Sequence, residues 1–253
     1  MNNHIQMKII GIIPARYDSS RFPGKPLADI GGVSMIQRVY NQAKHASVLS
    51  EVIVATDDQR IYDHIKSAAG NVVMTRKDHE SGTDRCAEVI ASLQGFDIAI
   101  NIQGDEPFID PQQINLLASC FENPATQIAT LVHKVSSNEE LLAENKPKVV
   151  LNKNGEAIYF SRQAIPFLRG TKIEDWLTKR PFYNHIGIYG YRTEVLKEIS
   201  ALPLSDLEQM EGLEQLRWLD NGYKIQTALS AHTNDAIDSP EDLKYIIAKY
   251  FGN

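Results

Sequence analysis

Three cations share one short loop near the start of the chain. Arg16, Arg21 and Lys25 fall within Pro14-Ala15-Arg16-Tyr17-Asp18-Ser19-Ser20-Arg21-Phe22-Pro23-Gly24-Lys25-Pro26-Leu27, directly after an Ile-rich run. Small residues let backbone N–H groups approach phosphate oxygens, and Lys and Arg neutralise them. The loop therefore suits a polyanion, although a solvated basic loop has the same composition. It is neither of the two commonest phosphate motifs. No G-x-G-x-x-G follows the run, and Gly24-Lys25 is followed by Pro26, not Ser or Thr. A dinucleotide dehydrogenase and a P-loop NTPase are both unsupported. Opposite charge sits at Asp105-Glu106, within Gln103-Gly104-Asp105-Glu106-Pro107. Carboxylates at the exit of a buried strand suit Mg²⁺, which takes one or two carboxylates plus phosphates and waters. A solvated turn is the plain alternative.

These residues need elements to carry them. Residues 9–13 are a short apolar run, as in a strand buried on both faces, and Pro14 is expected to end it. In open α/β sheets ligands bind just past the carboxyl ends of strands. Further buried strands are read at 52–56, 71–74 and 98–103, the last delivering Asp105. Between them, apolar spacing predicts helices at 34–44, 61–69 and from Ser81 or Thr83 to 93. Asp110 caps a helix running to 121 with Pro111 at its first position; a strand at 128–132 and a short helix at 138–144 follow. Segments 148–151 and 156–160 flank Asn152-Lys153-Asn154-Gly155, a hairpin pattern. One helix over 205–221, a strand over 224–229 and a last helix capped by Ser239 with Pro240 behind it complete the chain. Alternating strands and helices imply parallel βαβ units. The expected fold is α/β: a doubly wound, mostly parallel sheet in one domain over 1–253, with an antiparallel subdomain inserted at roughly 138–200.

The first loop, with its Pro-Ala-Arg, Ser19, Arg21 and Pro-Gly-Lys-Pro-Leu, resembles that of the sugar-activating nucleotidyltransferases. Within them it is most similar to the 3-deoxy-manno-octulosonate (KDO) cytidylyltransferase family; the sialic-acid-activating relatives have a shorter, differently spaced loop. In that family the loop wraps the triphosphate of CTP, which implies nucleotide contacts at Ala15, Arg16, Arg21 and Lys25. The string from Arg76 through Ser81-Gly82 resembles the second nucleotide-binding segment, implying that Arg76, Ser81 and Gly82 lie beside the ribose and cytosine. The Gln-Gly-Asp-Glu-Pro string is a family hallmark in which the Asp binds Mg²⁺ and the Gln faces the sugar, hence Asp105 and Gln103. The residue before the last helix cap, Asp238, matches the family's second metal ligand. Tyr159-Phe160-Ser161-Arg162 and the run from Phe182 to Tyr191 resemble the sugar-binding half, implying Arg162, His185 and Tyr189 on the sugar's carboxylate and hydroxyls. Where the family often has a second basic residue before this His, the chain has Asn184. Leu213-Glu214-Gln215-Leu216-Arg217 matches a segment whose Glu and Gln meet sugar hydroxyls.

The resemblance covers residues 9–243. It implies CMP transfer from CTP to KDO with release of pyrophosphate, for lipopolysaccharide biosynthesis. The catalytic set would be Arg16, Lys25, Asp105 and Asp238, with Mg²⁺ as cofactor, in a homodimer built through the inserted subdomain. Two other readings stay open: CMP activation of another acid sugar (a sialic acid or amino-modified KDO), and a nucleotide-binding regulator without catalysis.

The bulk properties agree with a small-molecule enzyme. A chain of 253 residues can bury a sizeable core. Its formal charge of −6 supplies no global field for a nucleic-acid polymer. Cys86 and Cys120 form no metal-like spacing and read as buried reduced thiols. Residues 1–8 carry no apolar signal core, and no run approaches the ~20 apolar residues of a membrane helix, so cytoplasmic residence is expected.

Overall fold

The computed structural model describes residues 7–18, 22–233 and 235–252. Its strands are β1 (Ile9–Ala15), β2 (Asp29–Ile30), β3 (Val33–Ser34), β4 (Leu49–Thr56), β5 (Val72–Met74), β6 (Ile98–Asn101), β7 (Ile128–Lys134), β8 (Lys148–Leu151), β9 (Ala157–Ser161), β10 (Tyr183–Arg192) and β11 (Ile225–Leu229). Its helices are α1 (Met35–Lys44), α2 (Gln59–Ser67), α3 (Gly82–Ser92), α4 (Pro111–Ser119), α5 (Asn138–Leu142), α6 (Trp176–Lys179), α7 (Thr193–Ser200), α8 (Asp206–Glu211), α9 (Gln215–Asp220) and α10 (Pro240–Phe251).

The main sheet runs β11-β7-β10-β6-β1-β4-β5. Pairs β1–β4, β1–β6, β4–β5 and β7–β11 are parallel, and β10 runs antiparallel between β6 and β7. Hairpin β8–β9 joins this sheet through β8 against β10. Its turn is fastened by Asn152, whose Oδ1 accepts from the backbone N–H of Asn154 and Glu156, with Gly155 in the left-handed region at φ 75°. Helices cover both faces. Ile9 and Ile13 of β1 pack with Ile36, Val39, Ile61, Ile65 and Leu117 from α1, α2 and α4. Ile10 and Ile12 face the other way, onto Cys86, Val89 and Ile90 of α3 and Leu196, Leu216 and Trp218 beyond. This alternation on a strand covered on both sides is why β1 reads as a continuous apolar run.

Several boundaries differ from the sequence reading. Pro14 does not end β1; it stays in register with Ala55. Alternate residues of a strand bond to the same side, and the Ile12 carbonyl accepts from Ile102 on the β6 side. The β6 ladder with β1 covers only Ile9–Ile12, so the missing Pro14 donor faces no partner strand. β6 itself stops at Asn101, short of Gln103. The helix expected over 205–221 is two helices, α8 and α9, separated at Gly212 with φ 60°. Cys86 is buried, whereas Cys120 is only half-buried and ends α4. Among the described residues no helix is long and apolar enough to cross a membrane.

Candidate active site

The exits of β1 and β6 approach closely. A Cβ on Gly104 would stand 2.6 Å from the Pro14 carbonyl oxygen, so only glycine lets the β6 exit loop cross here. That crossing sets Asp105 beside the first loop. Lys25 returns to it through Gly24, which has φ 73° and heads a short turn at Lys25–Leu27. The Lys25 ammonium donates to Asp105 Oδ2 at 2.8 Å and to the Ile237 carbonyl at 2.9 Å, and lies 3.5 Å from Asp238 Oδ1. Ile237 in turn donates its N–H to the Asp105 carbonyl at 3.0 Å. Two carboxylates from remote parts of the sequence thus meet on one cation. The side chains are 14%, 28% and 47% exposed for Lys25, Asp105 and Asp238, so the cluster opens to solvent at Asp238.

Asp238 is presented by α10. Ser239 accepts from the Asp242 N–H, and the Asp242 carboxylate accepts from the N–H groups of both Asp238 and Ser239. This capping box fixes the backbone and leaves capping to Ser239, as the sequence indicates. Among the described residues no group of three or more His, Cys, Asp or Glu side chains could hold a metal. Two carboxylates fit a hard cation that completes its shell from phosphates and water, and do not fit a closed structural site.

The segment matched to the family's second nucleotide-binding stretch arrives at the same strand ends. Ser81 caps α3 reciprocally with Asp84. A Cβ on Gly82 would meet Pro14 Cγ at 3.4 Å and Asn101 Nδ2 at 3.6 Å, so the N-terminus of α3 abuts the exits of β1 and β6. Free N–H groups at a helix start favour anions. Arg16 is exposed and donates from Nη1 to the His79 carbonyl at 3.4 Å, bridging the first loop and the segment before α3. Arg76 is exposed and pairs with Asp78 at 3.3 Å. Its side chain borders an open cleft of about 790 Å³ along the outer face of α3, lined also by Glu88, Lys197 and Leu204 and not by Lys25 or Asp105. The buried Arg85 escaped the sequence reading. It bonds Asp57 Oδ2 at 3.0 Å, Thr75 Oγ1 and the Arg76 carbonyl, and so pins the segment from beneath. Ala15 pairs with Thr56 at the end of β1; Arg21 lies outside the described residues.

The residues matched to the sugar side come from β10, α9 and the β6 exit. Gln103 Nε2 donates to the Gly187 carbonyl at 2.8 Å. The His185 ring meets Thr130 Oγ1 at 3.0 Å, stands edge-on to Phe160, and sits 5.1 Å from the Tyr189 ring. Burial pushes the His185 imidazole down to about 3, so it is neutral at physiological pH. Burial raises the Tyr189 phenol. Glu214 precedes α9 and accepts from Thr83 Oγ1 at 2.8 Å. Burial pushes its carboxyl up, while hydrogen bonding from Thr83 and Ser81 and the Arg217 charge pull it back. Gln215 Nε2 and Asn101 Oδ1 are buried with no hydrogen-bond partner among the described residues. Buried amides are normally satisfied, so these two atoms mark places for water or a polar ligand.

Arg162 stands apart from the others. Its Nε, Nη1 and Nη2 donate to the carbonyls of Glu211 (2.6 Å), Glu144 (3.1 Å) and Gly212 (3.1 Å). Most of its fork holds the turn between α8 and α9, leaving part of its five-donor capacity for a ligand.

Three comparisons bear on this arrangement. The family model described as "Cytidylyltransferase" matches residues 10–225. A protein from Bacteroides thetaiotaomicron named 3-deoxy-manno-octulosonate cytidylyltransferase is 57% identical over 94% of this chain and 96% of its own. One of the same name from Parabacteroides distasonis is 56% identical over 96% of this chain and 98% of its own. A solved structure of CMP:2-keto-3-deoxy-manno-octonic acid synthetase complexed with CTP superposes with a TM-score of 0.89 at 43% identity, covering 96% of this chain and 98% of its own.

Proposed function

This chain belongs to the cytidylyltransferase family, and we propose that it transfers CMP from CTP to 3-deoxy-manno-octulosonate, releasing pyrophosphate and forming CMP-KDO for lipopolysaccharide biosynthesis. The observation that carries the reading is the convergence of Lys25, Asp105 and Asp238 at the exits of β1 and β6. Near-full-length identity to relatives named for this activity disfavours another acid sugar, and the intact cluster disfavours a regulator without catalysis.

Each residue then has a task. Arg16, at the junction of the two nucleotide segments, neutralises phosphate oxygens. Lys25 already sits among anions and exchanges carboxylate oxygens for those of the triphosphate, where it balances charge on the departing pyrophosphate. Asp105 and Asp238 would hold Mg²⁺, which when bound polarises a phosphoryl oxygen and acidifies a coordinated hydroxyl. Ser81 and Gly82 present the start of α3 to the nucleotide, and Arg76 adds charge beside it; Arg21 is assigned to the nucleotide by resemblance alone. Gln103, His185, Tyr189, Glu214 and Gln215 hold the sugar by hydrogen bonds, with Arg162 supplying its remaining donors to the carboxylate. A neutral His185 binds hydroxyls and serves no charge role.

The same proposal includes a cytoplasmic homodimer. Ile158 on β9 and Phe167 in the following loop are exposed large apolar residues within the expected dimer region. Light scattering on the eluted protein tests the dimer. The activity is tested by pyrophosphate release from CTP, ATP and GTP with KDO, sialic acid and amino-modified KDO. CTP with KDO should dominate; equal turnover with a purine triphosphate would contradict the cytidine reading.

A further inference from the structure

Among the described residues, the start of α3 reaches Glu214 through side-chain hydrogen bonds from Thr83, at 2.8 Å, and from Ser81. Thr83 is the second residue of α3, directly after Ser81 and Gly82, which the proposed function assigns to the nucleotide. Its hydroxyl is buried and donates to Glu214 Oε2 at 2.8 Å. Glu214 is half-buried and immediately precedes α9, whose first residue is Gln215. The nearest cation of α9 does not anchor it: Arg217 spends its guanidinium on Glu208 at 2.7 and 2.6 Å and on the Leu202 carbonyl at 3.2 Å. Gly212 ends α8 with φ 60°, so Glu214 lies between two helices, and its side-chain partners are Thr83 and Ser81.

We propose that Thr83 is a positioning residue: its hydroxyl aims the Glu214 carboxylate at the acid sugar and ties it to the helix end that meets the nucleotide. This rests on the reading of Glu214 as a sugar contact. A carboxylate has about four lone-pair sites, so the hydroxyls of Thr83 and Ser81 leave Glu214 capacity for a ligand hydroxyl. Because Thr83 shares the first turn of α3 with Ser81 and Gly82, any adjustment of that turn by nucleotide moves the sugar contact with it. No substrate atom needs to touch Thr83.

The test compares Thr83→Val, Thr83→Ser, Glu214→Gln and the Val/Gln double variant, each checked by thermal melt. Thr83→Val keeps the volume and removes the donor. It should raise KM for KDO about tenfold, with KM for CTP within about twofold of normal. Thr83→Ser retains the hydroxyl and should restore KM for KDO. The double variant should be scarcely worse than Glu214→Gln alone, since both act on one contact. A normal KM for KDO in Thr83→Val, or equal rises for both substrates, overturns the proposal. If Glu214→Gln raises KM for KDO while Thr83→Val does not, the sugar reading of Glu214 stands and only the Thr83 role falls. If Glu214→Gln leaves KM for KDO unchanged, both fall. Where Val does not fold, Thr83→Ala carries the same comparison.

Discussion

The residues proposed for the phosphates and those proposed for the sugar are held differently. At the phosphate end, charged side chains on loops meet near solvent: Lys25 with Asp105 and Asp238, Arg16 against the His79 carbonyl, Arg76 with Asp78. At the sugar end, polar groups are held by tertiary partners: His185 on β10 against Thr130 and, from loop positions, Glu214 against Thr83 and Gln103 against Gly187. Loop charges near water can trade partners at little cost, whereas buried polar groups are expensive to leave unpaired. The first arrangement suits charge that must move during reaction, and the second suits recognition of fixed hydroxyls.

Substitutions should divide along this line. The largest effect belongs to the carboxylates. Asp105→Asn and Asp238→Asn should each cut turnover by about 10² or more, with melting little changed because Ser239 keeps its cap. A collapse of stability in Asp238→Asn would move that residue to the structural side of the comparison. Lys25→Ala comes next, with kcat/KM expected to fall at least about tenfold, or ~1.4 kcal/mol. Wild-type kinetics in this variant would reduce Lys25 to a counter-ion for the carboxylates. Arg162→Ala should behave as a sugar-end change and cost about 1–3 kcal/mol of stability, since the carbonyls of Glu211, Glu144 and Gly212 lose this donor. Arg76→Ala should leave melting within about 0.5 kcal/mol and raise KM for CTP. The reverse pattern in denaturant melts and kinetics would break the division.

A smaller effect concerns pH. His185 is held near 3 by burial, below the ordinary 6.5 of the unfolded chain. Between these values the unfolded state binds the additional proton, so stability falls as pH drops from 6.5 toward 3. His185→Asn should flatten that limb in urea melts at successive pH values. An unchanged slope would assign the loss to other groups.

The phosphate end was the more legible half in sequence. Strand exits with local charge, such as Lys25 and Asp105, announce themselves by residue type, and Ser239 with Pro240 marks the start of α10 without any tertiary information. Pro14 misled because its effect depends on which neighbouring strand has already ended. The continuous helix over 205–221 failed because the apolar spacing runs through Gly212, whose φ of 60° shows only in the backbone. Arg85 and Thr83 carry no motif of their own: one is a helical Arg, the other a helical Thr. Their roles come from partners far away in sequence, Asp57 and Glu214. Arg162 was matched to the sugar by resemblance, and its extensive bonding to the α8–α9 turn could not be read from residue type.

Asp105 and Asp238 are proposed to act as one cation-holding unit. Isothermal titration of Mn²⁺ into the enzyme holding CTP, without sugar, tests it for the wild type, Asp105→Asn, Asp238→Asn and the double variant. Each single variant should weaken the tightest Mn²⁺ site at least about tenfold, and the double should be scarcely weaker than the worse single. Wild-type Mn²⁺ affinity in Asp238→Asn would show that the two carboxylates do not share an ion.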